Sequence, residues 1–244
     1  MTCITGFVGA VPAANRQRFV RHAELAASAF HDHGLVSAVE CWGDDVPDGE
    51  LTSFRRAVLA EPDETVIFSW YVWPSPEAQD EAMRRAAKDP RMGPEANPMP
   101  FDGQRVVWGS FEPILEVGRP LQGGYFDGFV IPVPRDARAA YGATAAFGDP
   151  IIIEHGAVWI MEAWELQVPD GKVTDFRRAV AAKPDEAIVF SWVQWPDRAA
   201  RDAGNARIRA DSRLATQPCP FDPARMIVGG FAPLLQTGLG PANR

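Results

Sequence analysis

Cysteine is scarce in this chain: Cys3, Cys41 and Cys219 are the whole supply. An odd count with no CxxC pair excludes a disulfide framework and offers no zinc-ligand spacing. Long apolar runs are missing as well, and none approaches the roughly 20 residues needed to cross a bilayer. The opening stretch MTCITGFVGAVPAANR lacks a basic segment ahead of a long apolar core, so it does not read as a secretory signal. No Lys/Arg-rich run occurs, so neither nucleic acid nor an anionic membrane is an expected partner. GxSxG, GxGxxG, P-loop and HExxH patterns are all absent, which argues against Rossmann hydride transfer and P-loop phosphoryl transfer. These absences leave, as an expectation, a soluble cytoplasmic protein with reduced thiols, no metal and no tightly held cofactor.

What is present is ordinary globular material. Apolar residues make up 46% of the 244 and charged residues 23%, so no long segment is expected to be disordered. The net charge of −8 is uneven, with −7 carried by residues 1–122 and −1 by the rest. That acidity argues for solubility rather than for a partner.

The dominant feature is internal repetition. VPDGELTSFRRAVLAEPDETVIFSW from Val46 returns as VPDGKVTDFRRAVAAKPDEAIVFSW from Val168, 122 residues later. Across His33–Pro74 and His155–Pro196, 24 of 42 positions are identical. The offset holds from Gly6 to Arg91, then becomes 120 at Pro100-Phe101-Asp102 against Pro220-Phe221-Asp222, through a two-residue loss in a loop. Two copies with this period describe a duplicated domain rather than a solenoid. The boundary falls in GRPLQGG, Gly118–Gly124, which predicts units of residues 1–120 and 121–244.

Each copy has the same order of elements. Strands are predicted at Thr2–Val11 and Tyr125–Val133. Phe19, Ala23, Ala26, Ala27 and Phe30 predict a helix over Ala13–His31, ended by Gly34. In the second copy Asp149-Pro150 predicts a break, with Ile151–His155 as a separate helical turn. Second strands follow at Val36–Gly43 and Val158–Glu165, then Pro-Asp-Gly turns. Third strands at Thr65–Trp73 and Ala187–Trp195, helices at Pro76–Lys88 and Asp197–Ala210, and fourth strands at Arg105–Glu116 and Arg225–Gln236 complete each copy. The order β-α-β-β-α-β is the ferredoxin-like unit, with helices on one face of its sheet. Packing two such sheets face to face covers the other face, so the expected fold is α+β: two ferredoxin-like units forming one pseudo-dimeric α/β barrel, a molecule that is its own dimer and otherwise monomeric.

The motifs ECWGDDVPDG, FRRAV, DETVIFSW, RDAGN, DPRM, MPFDG and GGF, drawn from the two copies together, make the chain resemble the DUF1428 (YbaA-like) family over nearly its whole length, twice. The resemblance implies dimeric α/β barrels of ferredoxin-like topology, normally one unit per chain. It implies no established reaction and no catalytic residues. The two copies depart from the motifs reciprocally. The first keeps Glu40-Cys41-Trp42-Gly43-Asp44-Asp45, where the second has Glu162-Ala163-Trp164-Glu165-Leu166-Gln167. The second keeps Arg201-Asp202-Ala203-Gly204-Asn205, where the first has Gln79-Asp80-Glu81-Ala82-Met83. A homodimer cannot diverge in this way. Either the fused molecule has two unequal cavities, one of which keeps a given function, or the copies have drifted.

Several residues suggest chemistry. Glu40, Trp42 and Asp44, and likewise Glu162 and Trp164, share one face of the second strand. A Glu beside a Trp can form a pocket floor whose carboxylate is a general base, or can be an exposed or arginine-paired acid beside a packed indole. On the third strand Phe68 and Trp70 are expected towards the helices. That leaves Ser69, Tyr71 and Trp73, with Ser191 and Trp195 in the second copy, as a cavity wall for a small aromatic ligand or as a seal between sheets. Arg55 and Arg177 either clamp an anion or hold Asp48 and Asp170 in the preceding turn. His31-Asp32-His33 is a poor metal site, because i and i+2 do not share a helix face. Cys41 reads as a buried, inert thiol. The resulting expectation is a small-molecule enzyme acting on an aromatic or polyketide-like compound in a cavity between sheet and helices, with Glu40 or Glu162 as base. The alternative is a binding or sensing protein with the same cavity.

Overall fold

A computed structural model of the chain describes residues 1–49 and 51–239. Its strands are β1 (Cys3–Pro12), β2 (Ser37–Asp45), β3 (Glu64–Trp73), β4 (Val107–Gly118), β5 (Tyr125–Pro134), β6 (Trp159–Gln167), β7 (Glu186–Trp195) and β8 (Ile227–Thr237). The α-helices are α1 (Arg16–Asp32), α2 (Phe54–Ala57), α3 (Pro76–Ala86), α4 (Arg138–Glu154), α5 (Phe176–Ala179), α6 (Arg198–Ala210) and α7 (Ser212–Ala215). Short 3-10 turns join several of them. All eight strands close into one barrel in the order β1-β3-β2-β8-β5-β7-β6-β4.

Closure follows from the repeat. Each half supplies four antiparallel strands, 4-1-3-2 in its own order, which leaves two unpaired edges. β2 pairs with β8 and β4 with β6, so every edge is taken by the other half. β4 ends at Gly118 and β5 begins at Tyr125. Gly118 turns the chain there at φ +82°, and a Cβ would sit 2.2 Å from the Val158 carbonyl oxygen. Only glycine fits that turn.

The barrel interior is the main core. Ile4 and Val8, Val39 and Cys41, Phe68 and Trp70, and Phe111 point inward from the first half. Phe126, Phe190, Trp192 and Phe231 answer them from the second. Phe68 stacks on Phe190 at 4.5 Å and 4°, and Trp70 on Trp192 at 4.2 Å and 18°. Gly6 and Gly128 make room: a Cβ on either would come within 2.9 Å of the Phe190 or Phe68 ring of the opposite half. The expected orientation of the third strand is therefore corrected. Phe68 and Trp70 face the opposing sheet, and Ser69, Tyr71 and Trp73 face the helices.

The break expected at Pro150 is also corrected. α4 runs unbroken from Arg138 to Glu154 with Pro150 inside it. Proline there forfeits one backbone hydrogen bond, but the Tyr141 hydroxyl bound to Glu162 and the packing of Ile152 and Ile153 on β5–β7 residues hold the helix to the sheet. Side chains cap four of the other helices: Ser53 and Asp175 cap α2 and α5, and Ser75 and Asp197 cap α3 and α6. Among the described residues no helix is long and apolar enough to cross a membrane.

Candidate functional site

Helices and connecting loops cover the outer face of the sheet, and in the first half they leave a cavity of about 630 Å³. α1 contributes Phe19, His22, Ala26 and Phe30, spaced three and four apart so that they share one helix face. β1, β2 and β3 contribute Phe7, Glu40, Ile67 and Tyr71. Met83, Met92, Met99 and Phe101 form an apolar, adaptable flank. The far wall comes from the second half, through Pro169–Lys172, Thr174 and Asp175. The cavity thus requires both halves.

Of the titratable groups that line it, Glu40, Tyr71 and His22 come from the first half, and Asp170, Lys172 and Asp175 from the second. Glu40 is 6% exposed, and its carboxylate accepts hydrogen bonds from Ser69 Oγ and, at 2.7 Å, from Tyr71 Oη. Burial raises its pKa, and the two hydroxyl donors offset part of that rise. Tyr71 is in turn held well above the usual phenol value by burial and by the adjacent carboxylate. His22 lies on the helix side of the cavity. Its Nδ1 is buried with no hydrogen-bond partner, and its ring meets Phe101 edge-on at 5.5 Å. Burial lowers its pKa, which favours neutral imidazole. A neutral imidazole and a desolvated carboxyl group in one apolar cavity can accept and return a proton. The sequence reading passed over His22. Its signal was a lone titratable residue on the otherwise apolar stripe of α1.

The other expected residues fall elsewhere. Trp42 packs on Phe19 at 6.1 Å beneath Arg16, and Trp73 is fully buried, donating to Thr5. Arg55 and Arg177 do not line this cavity. Arg55 donates to the Glu61 and Glu64 carbonyls, whereas Arg177 donates to the Glu186 carbonyl and the Glu165 carboxylate. They brace turns without engaging Asp48 or Asp170. His31 binds the Leu35 carbonyl and Thr237, and His33 binds Asp89. Cys41 lies inside the barrel, where burial pushes its thiol pKa up. Among the described residues no three metal-ligating side chains converge.

In the second half Glu162 occupies the position of Glu40. It accepts from Ser191 at 2.8 Å, as Glu40 does from Ser69, but its phenol donor is Tyr141 of α4, at 2.5 Å. Tyr141 corresponds to Phe19, and Val193 to Tyr71. The ring itself is placed alike. Phe19 lies 6.1 Å from Trp42 and 6.0 Å from Phe101, and Tyr141 lies 6.3 Å from Trp164 and 6.0 Å from Phe221. His22 corresponds to Thr144, and Ala27 to Asp149. The Asp149 Oδ2 is buried without a partner. Burial raises the pKa of both Asp149 and Glu162, and the Glu162 charge adds to the rise at Asp149. Trp195 donates to Asp127.

The reciprocal motif losses prove to be one contact. Asp44 of the first half binds Arg198 at 2.7 Å and accepts from Tyr125 at 3.0 Å, and Asp45 binds Arg201 at 2.6 Å. Arg201 also holds the buried Asp127 at 2.7 Å, and Asn205 donates to the same carboxylate. At the equivalent junction, Gln79 binds Ser110 and Cys3, all neutral. The retained Asp-Asp of one half and Arg-Asp-Ala-Gly-Asn of the other are thus two sides of a single junction. Asp44 belongs there rather than in the cavity wall.

Matches to known proteins agree with this architecture. The model of the family described as a protein of unknown function, DUF1428, matches residues 2–103 and again 124–223. The chain belongs to the DUF1428 family. The uncharacterized protein YbaA of Escherichia coli K12 is 46% identical over 116 residues, which is 99% of its length and 48% of this chain. One DUF1428 relative therefore corresponds to about half of the present molecule. Among solved structures, a candidate monooxygenase of Lactobacillus acidophilus NCFM aligns over 98% of both chains, with a TM-score of 0.59 and 11% identity. A second, from Fusobacterium nucleatum, covers 96% of this chain and 93% of its own, with a TM-score of 0.60 and 9% identity. An anthrone oxidase-like protein covers 99% and 94%, with a TM-score of 0.54 and 13% identity. At these identities the likeness concerns the fold: an eight-stranded barrel built as a pseudo-dimer.

Proposed function

We propose that this DUF1428 protein is an enzyme that moves a proton on a small aromatic molecule held in the first-half cavity, without a tightly bound cofactor. The supporting observation is that Glu40 and His22, whose Nδ1 has no hydrogen-bond partner, line one largely apolar chamber. Glu40 lies where burial disfavours its charge, so it gains by taking a proton. His22, kept neutral, has a free nitrogen for the same task. The Phe and Met walls suit a flat apolar ligand, and the volume lies within the usual range for small-molecule sites. The name of one fold relative, an anthrone oxidase-like protein, favours chemistry on an aromatic ring, by analogy of fold alone. The catalytic role is assigned to Glu40. Glu162, tied to Tyr141 from the helix above it, is given a structural one. The units 1–120 and 121–244 act as a fused pair, and the molecule works as a monomer.

The test is turnover of a panel of hydroxyarenes and anthrone-like compounds in air, by wild type, Glu40→Gln and His22→Asn. Turnover that falls at least about 100-fold in Glu40→Gln, within the usual reach of acid–base catalysis, supports the proposal. Tight binding with no turnover of any compound favours a binding or sensing protein that uses the same cavity.

A further inference from the structure

The two halves treat the same carboxylate differently, and the difference describes a ligand. In the second half, Tyr141 extends from α4 across the space between helix and sheet, and its phenol hydroxyl donates to Glu162. In the first half the equivalent ring is Phe19, set against its Trp and Phe neighbours in the same way but carrying no hydroxyl. Phe19 and Glu40 both line the 630 Å³ cavity. The donors to Glu40, Ser69 and Tyr71, both come from β3. Neither donor comes from a helix, and Glu40 itself lines the cavity. A carboxylate has about four acceptor positions, so two donors do not saturate Glu40.

We infer that the first-half cavity takes a hydroxyarene whose hydroxyl donates to Glu40 from the Phe19 side, as the Tyr141 phenol does to Glu162. The second half thus supplies from its own chain the hydroxyl that a ligand brings to Glu40, with the ligand's ring beside Phe19, whose own ring already fills the Tyr141 position. This inference rests on the proposed use of the first-half cavity as an aromatic site. The Phe and Met flank accommodates two or three fused rings, and Glu40 excludes an arene that presents a carboxylate in place of the hydroxyl.

The experiment is a ligand-observed NMR titration of the whole chain at pH 7 with 2-naphthol, naphthalene and 2-naphthoate. It is repeated on Phe19→Tyr and Glu40→Gln. Wild type should bind 2-naphthol at least about tenfold more tightly than naphthalene, the value of one hydrogen bond to a charged group, and 2-naphthoate more weakly than either. Phe19→Tyr installs the second half's arrangement and should reduce the naphthol advantage to within about threefold while naphthalene still binds. Its thermal midpoint, measured alongside, should stay close to that of wild type, because the second half already carries tyrosine at this position. Glu40→Gln should diminish the same advantage without changing naphthalene. Equal binding of naphthol and naphthalene, or naphthoate binding as tightly as naphthol, overturns the inference and leaves the aromatic cavity intact. So does an advantage that survives both substitutions. Failure of all three probes to bind overturns the aromatic cavity, and the inference with it.

Discussion

Inside the barrel the two halves are near mirror images in chemistry; outside it they have parted. Phe68 meets Phe190, Trp70 meets Trp192, and Gly6 and Gly128 give way equally to the opposing rings. On the outer face, Phe19, His22, Ala27 and Tyr71 stand where the second half has Tyr141, Thr144, Asp149 and Val193. Inner faces pack against each other, so a change in one strains the other. Outer faces meet helices and loops rather than each other, and fusion lets each change alone. The cavity, with Glu40 and His22 on its wall, lies on the face that was free to diverge.

The largest test of this contrast is in the core. Phe68→Ala and Phe190→Ala should each cost about 3–5 kcal/mol, and the two values should agree within about 1 kcal/mol. The double substitution should cost less than their total, because both remove the same stack. Urea unfolding of the full chain measures all three. A harmless substitution on one side would show that the interior is not shared equally.

The charged junction comes next. Arg201→Gln copies the first half's Gln79 and leaves Asp127, 2% exposed, with no opposing charge beside it. The expected loss is about 3 kcal/mol at pH 7, most of it from stranding that carboxylate. Adding Asp127→Thr, the first half's Thr5, should return most of the loss. If the double variant is no better than the single one, Arg201 matters chiefly for Asp45 and for the contact between halves.

The repeat made the fold legible, because strand and turn signals recur at one offset and four strands per half leave edges that only the other half can satisfy. Which face of β3 points inward was not legible. Phe68 and Trp70 alternate with Tyr71 and Trp73, so both faces are aromatic and hydrophobicity does not choose between them; the glycines opposite do. Glu40 was visible as an acid beside a tryptophan on a strand. His22 was hidden in an alanine-rich helix with no counterpart in the second copy. The junction was half visible: each motif loss could be read, but the meeting of Asp45 with Arg201 is a contact across 156 residues between a strand of one half and a helix of the other.

A smaller effect separates the outer faces by pH. In the folded chain Asp149 and Glu162 have raised pKa values, from burial and, at Asp149, from the Glu162 charge. The folded state therefore holds protons that the unfolded chain releases. Stability from this source is full below the ordinary carboxylate range near about 4, and it is lost as pH rises through the raised values towards neutrality. Asp149→Ala, matching Ala27, should stabilise the protein by about 1–2 kcal/mol at pH 8 and hardly at all at pH 5. Thermal unfolding across that range checks it. An equal effect at both pH values would mean that packing, not charge, distinguishes the two helices.

The smallest effect tests whether the two ways of satisfying the buried glutamate are interchangeable. Tyr71→Phe removes one donor from Glu40 and keeps the ring, at a cost of about 1–2 kcal/mol for a buried carboxylate deprived of a hydroxyl. Phe19→Tyr in that background supplies a hydroxyl from the helix, as Tyr141 does for Glu162, and should recover about 1 kcal/mol. Phe19→Tyr in wild type should gain less, since Ser69 and Tyr71 already serve the carboxylate. The coupling between the two substitutions is the informative quantity. A coupling near zero would mean that the helix-side hydroxyl does not reach Glu40. The first-half cavity would then differ in shape from the second half's packing, and the divergence of the outer faces would extend beyond the identity of the donor.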